Sequence, residues 1–145
     1  QIMNAGQLVD VHGITKGKGY QGPVKRFGVT LRQHKSEKTI RGPAQLGSWT
    51  PHHVGHEVAH AGQMGYHQRS DYNWLIIKIS NKPEEVNPKG GFLHYGNVKN
   101  EYMLVKGSIQ GPAKRLIRLN LPKRPDALVP KDAPSIVYTS LESKQ

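Results

Sequence analysis

The stretch that most constrains this chain is one with almost nothing to bury. Residues 16–48 show no helical period and only scattered apolar side chains, and Gly17, Gly19, Gly22, Gly28, Gly42 and Gly47 punctuate them. A run of that length without regular structure signals either a functional loop or disorder. It is also strongly basic. Residues 16–69 hold nine Lys or Arg against two acids, Glu37 and Glu57, and residues 12–69 hold seven of the chain's eight histidines. Such a segment has few apolar side chains to fold on, and it reads as a surface made to lie against a polyanion.

Regular structure is expected on either side of it. Residues 7–15 (QLVDVHGIT) alternate apolar and polar, which predicts a strand. From Asp71 onward the texture changes. Residues 74–80, 90–98, 101–109, 114–121 and 135–141 all read as strands, separated by Gly, Pro and Asn turn chemistry. Five strand candidates at close spacing point to a β-barrel rather than a parallel α/β sheet. Within the basic run, Thr50 and Pro51 supply an N-cap and a first-turn proline, so a short helix over 51–60 is expected, ended by Gly62. The expected fold class is mainly β: a barrel with strands at about 7–15 and 72–141, a long irregular basic extension at about 16–71, and one short helix. At 145 residues this is a single domain with one modest core.

The formal net charge of +11 favours an anionic partner: nucleic acid, an acidic membrane surface or an acidic protein. With 35% hydrophobic residues, 16 glycines and 10 prolines, the composition approaches low complexity, but the apolar β-patterned runs of the second half argue against full disorder. Cysteine is absent, which excludes disulfides, thiolate metal sites and thiol nucleophiles. No stretch approaches the ~18 consecutive apolar residues of a membrane-spanning helix. The chain opens on Gln1 and reads like a polypeptide entered partway through, so it is expected to be a fragment.

The sharpest short motif is HEVAH at 56–60. On a helix, HExxH places His56 and His60 one turn apart on a single face, where both imidazoles can hold zinc and Glu57 can act as general base. The extended motif asks for Gly and a third His where Gln63 and Tyr66 stand; Gly62 falls one residue early and His67 one late. An error of one residue turns a helical ligand by about 100°. Gly55 weakens the same short helix, and the neighbouring His52 and His53 make a chance match easy. Zinc peptidase chemistry is therefore the lesser reading, and histidines on a polar surface that meets phosphate or base are the greater one.

The glycine-rich TKGKGYQG (15–22) matches the dinucleotide fingerprint at Gly17, Gly19 and Gly22, yet Pro23 and the aperiodic sequence beyond it supply no βαβ unit. Two readings stay open there. Glycines let a backbone approach a sugar–phosphate chain closely, with Lys16, Lys18, Lys25 and Arg26 neutralising it; alternatively the run is a solvated loop. Trp49, in GSWTP, lacks a core pattern and is either an anchor on its own domain or a ring that stacks on an unpaired base. Trp74 opens an apolar strand and reads as core. Tyr66, His67 and Arg69 follow Gly65 and have the chemistry to stack on RNA or hydrogen-bond to it. No nucleophile elbow selects Ser48, Ser70 or Asp71 for a catalytic triad.

Six blocks occur in order: residues 13–19, QGPVKRFGV at 21–29, GSWTP at 47–51, GQMGYHQR at 62–69, GGFLHYG at 90–96 and LVKGSIQGPAKRLIRL at 104–119. Together they resemble the large-subunit ribosomal protein three family in its archaeal and eukaryotic branch, over about residues 8–138. The resemblance implies a six-stranded barrel of the translation-protein type, whose long extension threads into large-subunit rRNA toward the peptidyl transferase centre, with Trp49 at its tip. It implies rRNA contacts at Lys16, Lys18, Lys25, Arg26, Arg32, Lys35, Arg41, Trp49, His52, Tyr66, His67, Arg69, Lys106, Lys114 and Arg115. Family members are usually longer, which agrees with a fragment. Between Thr39 and Trp49 this chain is shorter and less basic than relatives, and Ile40 stands where they often carry His or Gln.

The implied function is structural and non-enzymatic: a cytoplasmic constituent of the large subunit, bound to rRNA and neighbouring ribosomal proteins. No cofactor, metal, membrane or small-molecule substrate is implied. The alternatives are a zinc metallopeptidase acting through His56, Glu57 and His60, and an RNA-binding barrel outside the ribosome.

Overall fold

The computed structural model describes residues 3–130 and 132–143. In chain order its elements are β1 (Leu8–Ile14), β2 (Gly19–Gln21), α1 (Pro23–Phe27), β3 (Gly62–Met64), β4 (Gln68–Ser80), a 3-10 turn at Pro83–Glu85, β5 (Tyr102–Val105) and β6 (Arg118–Asn120). The chain divides into two compact units. One combines Gln1–Thr15 with Gln68–Gln145; the other is Lys16–His67.

The first unit is a four-stranded antiparallel sheet in the order β5-β4-β1-β6. The mainly β, antiparallel class is as the sequence suggests, and within this sheet β5 and β6 are the outer strands among the described residues. Val9, Val11 and Ile76 are fully buried, and Met3, Trp74, Ile79, Met103, Ile109, Ile117 and Leu119 pack against them. Burying each such aliphatic side chain contributes about 1.5–3 kcal/mol.

A bulge explains why Asp10, between the two core valines, is also buried. Val9 pairs with Trp74 and Val11 with Asp71, so β4 carries one residue more than β1 at this point. Asn73 takes up the excess in left-handed backbone, φ 61. Its freed amide donates to Asp10 Oδ1 at 3.1 Å, and the Lys123 amide donates to Oδ2 at 2.9 Å. The carboxylate thus satisfies two backbone donors that the ladder leaves behind. His12 links three strands in the same way, with Nδ1 2.7 Å from Ser70 Oγ and Nε2 3.3 Å from Asn120 Nδ2. On the exposed rim, Lys78 donates to Glu85; that bond raises the lysine pKa and lowers that of the carboxyl from their ordinary values.

Two expected strands do not form. Residues 90–96 double back instead, because Gly90, Gly91, His94 and Gly96 all take positive φ, and Phe92 and Gly96 exchange both backbone hydrogen bonds at 2.9 Å. Residues 135–141 have the alternation but no ladder among the described residues. Val137 is 97% exposed there, and Leu141 O accepts a single backbone bond from Lys89. The remaining strands are shifted: β4 starts at Gln68, earlier than expected, while β5 and β6 are shorter than their apolar runs.

The second unit has more regular structure than its sequence suggests. β2 and β3 pair antiparallel, Gly19 with Met64 through Gln21 with Gly62. α1 follows directly, with Pro23 in its first turn and Gly28 capping it in left-handed backbone, φ 70. The helix expected over 51–60 is absent. Backbone bonds there run from His53 to Pro51, Val58 to Gly55 and His60 to Val58, spans of two or three residues rather than four. A polar segment interrupted by Gly55 presents no apolar stripe to pack, so its capping signal alone does not nucleate a helix.

Candidate nucleic-acid interface

The neck of the basic unit is built by close backbone approach. Gly65, φ 71, lies so near Lys16 that a Cβ there would overlap the Lys16 carbonyl oxygen, and a Cβ on Gly17 would lie 3.7 Å from that of Tyr66. Lys18 extends the pairing by donating its amide to Met64 O at 2.9 Å. Tyr66 itself adopts left-handed backbone, φ 60. These glycines hold Lys16 and Lys18, both exposed, beside Tyr66 and His67 at the same neck.

The cations split by chemistry. Lys16, Lys18, Lys25, Lys35, Lys106 and Lys114 are exposed, as is Arg41. The other four arginines of the expected set turn to backbone carbonyls. Arg26 donates to Gln63 O and His60 O, Arg32 donates to Ala44 O at 3.2 Å and Pro43 O at 3.4 Å, and Arg69 donates to Gln68 O at 2.8 Å. In the sheet unit Arg115 donates to Thr15 O at 3.2 Å and Ile14 O at 3.4 Å. The planar guanidinium offers five donors in a fixed fork and is less strongly hydrated than an ammonium, which favours arginine over lysine as a backbone brace. The sequence gives these arginines the same expected role as the lysines. In the free chain Arg26, Arg32 and Arg115 are instead each bonded to two backbone carbonyls.

Trp49 is 86% exposed, and its nearest ring partner is His52, edge-on with centroids 5.6 Å apart. The anchoring role that a loop tryptophan could play on its own unit is thus not seen. Tyr20, absent from the sequence-derived set, is 78% exposed on β2 between Gly19 and Gln21. A lone aromatic inside a Gly- and Lys-rich run was its visible signal. Without the expected helix, His56 and His60 are not presented one turn apart. His56 Nδ1 instead lies 3.6 Å from Glu57 Oε2 on an exposed turn, and no cluster among the described residues is arranged to hold a metal ion.

Lys106 and Lys114 lie within the KGS and GPAKR segments, whose glycines are equally constrained. Gly107, φ 90, lies against the six-membered ring of Trp74, where a Cβ would overlap Cζ3. Gly111, φ 108, sits with its missing Cβ 2.9 Å from Ile14 O.

The comparisons with known proteins agree with this reading of the blocks. The family described as ribosomal protein L3 matches residues 1–144. The large ribosomal subunit protein uL3 of Methanocorpusculum labreanum is 53% identical over 146 residues, covering 99% of this chain and 44% of that protein. Its counterpart in Archaeoglobus fulgidus is 51% identical over 150 residues, covering 100% of this chain and 44% of the relative. That of Methanocaldococcus jannaschii is 49% identical over 146 residues, with 99% and 43% covered. The chain spans less than half the length of these relatives. With the family pattern running through residues 1–144 and this level of identity, the chain belongs to the ribosomal protein L3 family.

Proposed function

We propose that this chain is part of a structural protein of the large ribosomal subunit, in the cytoplasm, whose basic unit lies against large-subunit rRNA. The observation that carries this reading is that Pro23 is the one buried residue in Lys16–His67. Fixing the backbone costs about 1–2 kcal/mol per residue, which a unit with so little apolar burial offsets only narrowly on its own. A polyanion that meets its exposed cations adds the stabilisation that apolar burial does not supply. The sheet unit docks on rRNA and neighbouring ribosomal proteins through Lys106 and Lys114. Peptide-bond chemistry belongs to the RNA; this chain supplies charge and position, and no group here acts as acid, base or nucleophile.

In this reading Lys16, Lys18, Lys25, Lys35 and Arg41 face phosphate, while Trp49, His52, Tyr66 and His67 meet bases or sugars at and below the loop tip. Tyr20 joins the stacking groups. The test is assembly: the protein is expected to sediment with large subunits through a moderate-salt wash. Recovery at the top of the gradient, as a free protein, would favour an RNA-binding role outside the ribosome.

Trp49 gives a sharper readout. Trp49→Ala is expected to leave the thermal midpoint of the chain within about 2 °C, because an exposed surface substitution changes stability by roughly 0.5 kcal/mol or less. Loss of one base stack costs about 1–3 kcal/mol of binding, so rRNA affinity falls roughly 5- to 150-fold. A large drop in midpoint with unchanged affinity would show the ring to be a structural anchor.

A further inference from the structure

Arg26 sits among the cations that a phosphate surface would use, yet its guanidinium is directed into its own unit. Nε donates to Gln63 O at 3.1 Å and Nη1 to His60 O at 2.8 Å. The guanidinium carbon lies 4.8 Å from the Phe27 ring centroid. A Cβ on Gly62 would come within 3.1 Å of that carbon, so a bare glycine backbone is what leaves room for the fork. Arg26 belongs to the last turn of α1, while His60 and Gln63 lie at the entry to β3 and within it. Loop 28–61, which carries Lys35, Arg41, Trp49 and His52, runs between those two points.

Beyond the Gly65–Lys16 approach, the rest of the neck is three residue pairs between β2 and β3 and the Lys18 bond to Met64. The guanidinium therefore ties the outgoing and returning ends of the loop by two charge-assisted bonds, in a planar geometry that lysine does not reproduce.

We propose that Arg26 is a positioning residue, closing the neck of loop 28–61 and so fixing where Lys35, Arg41 and Trp49 are presented, instead of contacting phosphate itself. This rests on the reading that the basic unit binds rRNA, and it deepens that reading by dividing its cations into braces and contacts.

The test uses the full chain with Arg26→Lys, Arg26→Gln and Lys25→Gln, and two measurements. The first, without RNA, is the rate of tryptic cleavage at Arg32, Lys35, Lys38 and Arg41, all within the loop. The second is the dissociation constant for protein-free large-subunit rRNA across a salt series. Arg26→Lys is expected to be cleaved roughly tenfold faster and to bind more weakly by a similar factor, from the loss of one or two charge-assisted bonds. Its salt dependence should match that of the unmodified chain, as should that of Arg26→Gln. Lys25→Gln should keep the slow cleavage and lower the salt slope by about 0.7–0.9. Gly62→Ala, which crowds the guanidinium without removing it, should speed cleavage by a smaller factor; this separates loss of the clamp from a failure to fold. Normal cleavage and affinity in Arg26→Lys, with a reduced slope in Arg26→Gln, would make Arg26 a phosphate contact and overturn the proposal. If the unmodified chain does not bind rRNA, the reading of the unit fails, while the cleavage rates still decide the clamp.

Discussion

An Ile76→Ala variant is expected to lose about 3 kcal/mol of stability, within the ~2–5 kcal/mol range for truncating a buried isoleucine. For a unit of this size that lowers the thermal midpoint by roughly 15 °C. Ile76 is fully buried, and its backbone is tied to the segment leading into β1: it donates to Gln7 O at 2.9 Å, and its carbonyl accepts from Gly6 at 2.8 Å. With the strand fixed, the surrounding side chains have little freedom to collapse into the space left by the missing carbons. Val9 and Val11 are the other two fully buried apolar residues among those described, so one truncation removes much of a small core. Val137→Ala is the control, since Val137 is 97% exposed and its truncation should change stability by less than ~0.5 kcal/mol. Equal midpoint shifts in the two variants, read by circular dichroism, would mean that the core lies elsewhere.

The same contrast shows what could be read in advance. The β1 and β4 patterns predict strands, and strands form, because their apolar side chains find each other across a ladder. Residues 135–141 alternate just as well, yet alternation only describes a face; without a neighbouring strand edge it leaves Ile136, Val137 and Tyr138 exposed. GGFLHYG misleads for a different reason. Its glycines invite positive φ, and a run of them bends a chain whose apolar residues otherwise suggest extension. In the basic run, the short ribbon and α1 are too brief for any period to register. They are specified by Gly65, Gly28 and Pro23 individually.

For the candidate site residues, the sequence shows charge and residue type but not what each side chain reaches in the folded chain. Composition marks every cation of the run as a phosphate ligand, and counting charges cannot separate one that faces solvent from one bound to its own backbone. That distinction follows from which carbonyls come within reach after folding, as for Arg26, Arg32 and Arg115. HEVAH shows the converse error. The residue types suit zinc, but the spacing acquires meaning only on a helix, and the turns of this segment never align His56 with His60.

The division of cations predicts the salt response of binding. Lys16, Lys18, Lys25, Lys35, Arg41, Lys106 and Lys114 are exposed and free to displace counterions from RNA. If about six of them engage phosphate, affinity for large-subunit rRNA should fall on the order of a thousandfold between about 50 and 200 mM monovalent salt. Lys16→Gln combined with Lys18→Gln should lower the slope of log affinity against log salt by roughly 1.5, since each lost contact removes about 0.7–0.9. Arg32→Lys retains its charge and should keep the slope, even if the 32–44 turn loosens without its bonds to Pro43 and Ala44. A filter-binding series at five or six salt concentrations measures all three proteins. A slope near zero in the unmodified chain would sink the phosphate reading altogether. A normal slope that the double lysine variant leaves unchanged would instead place the contacts away from the neck, on the loop tip or the sheet unit.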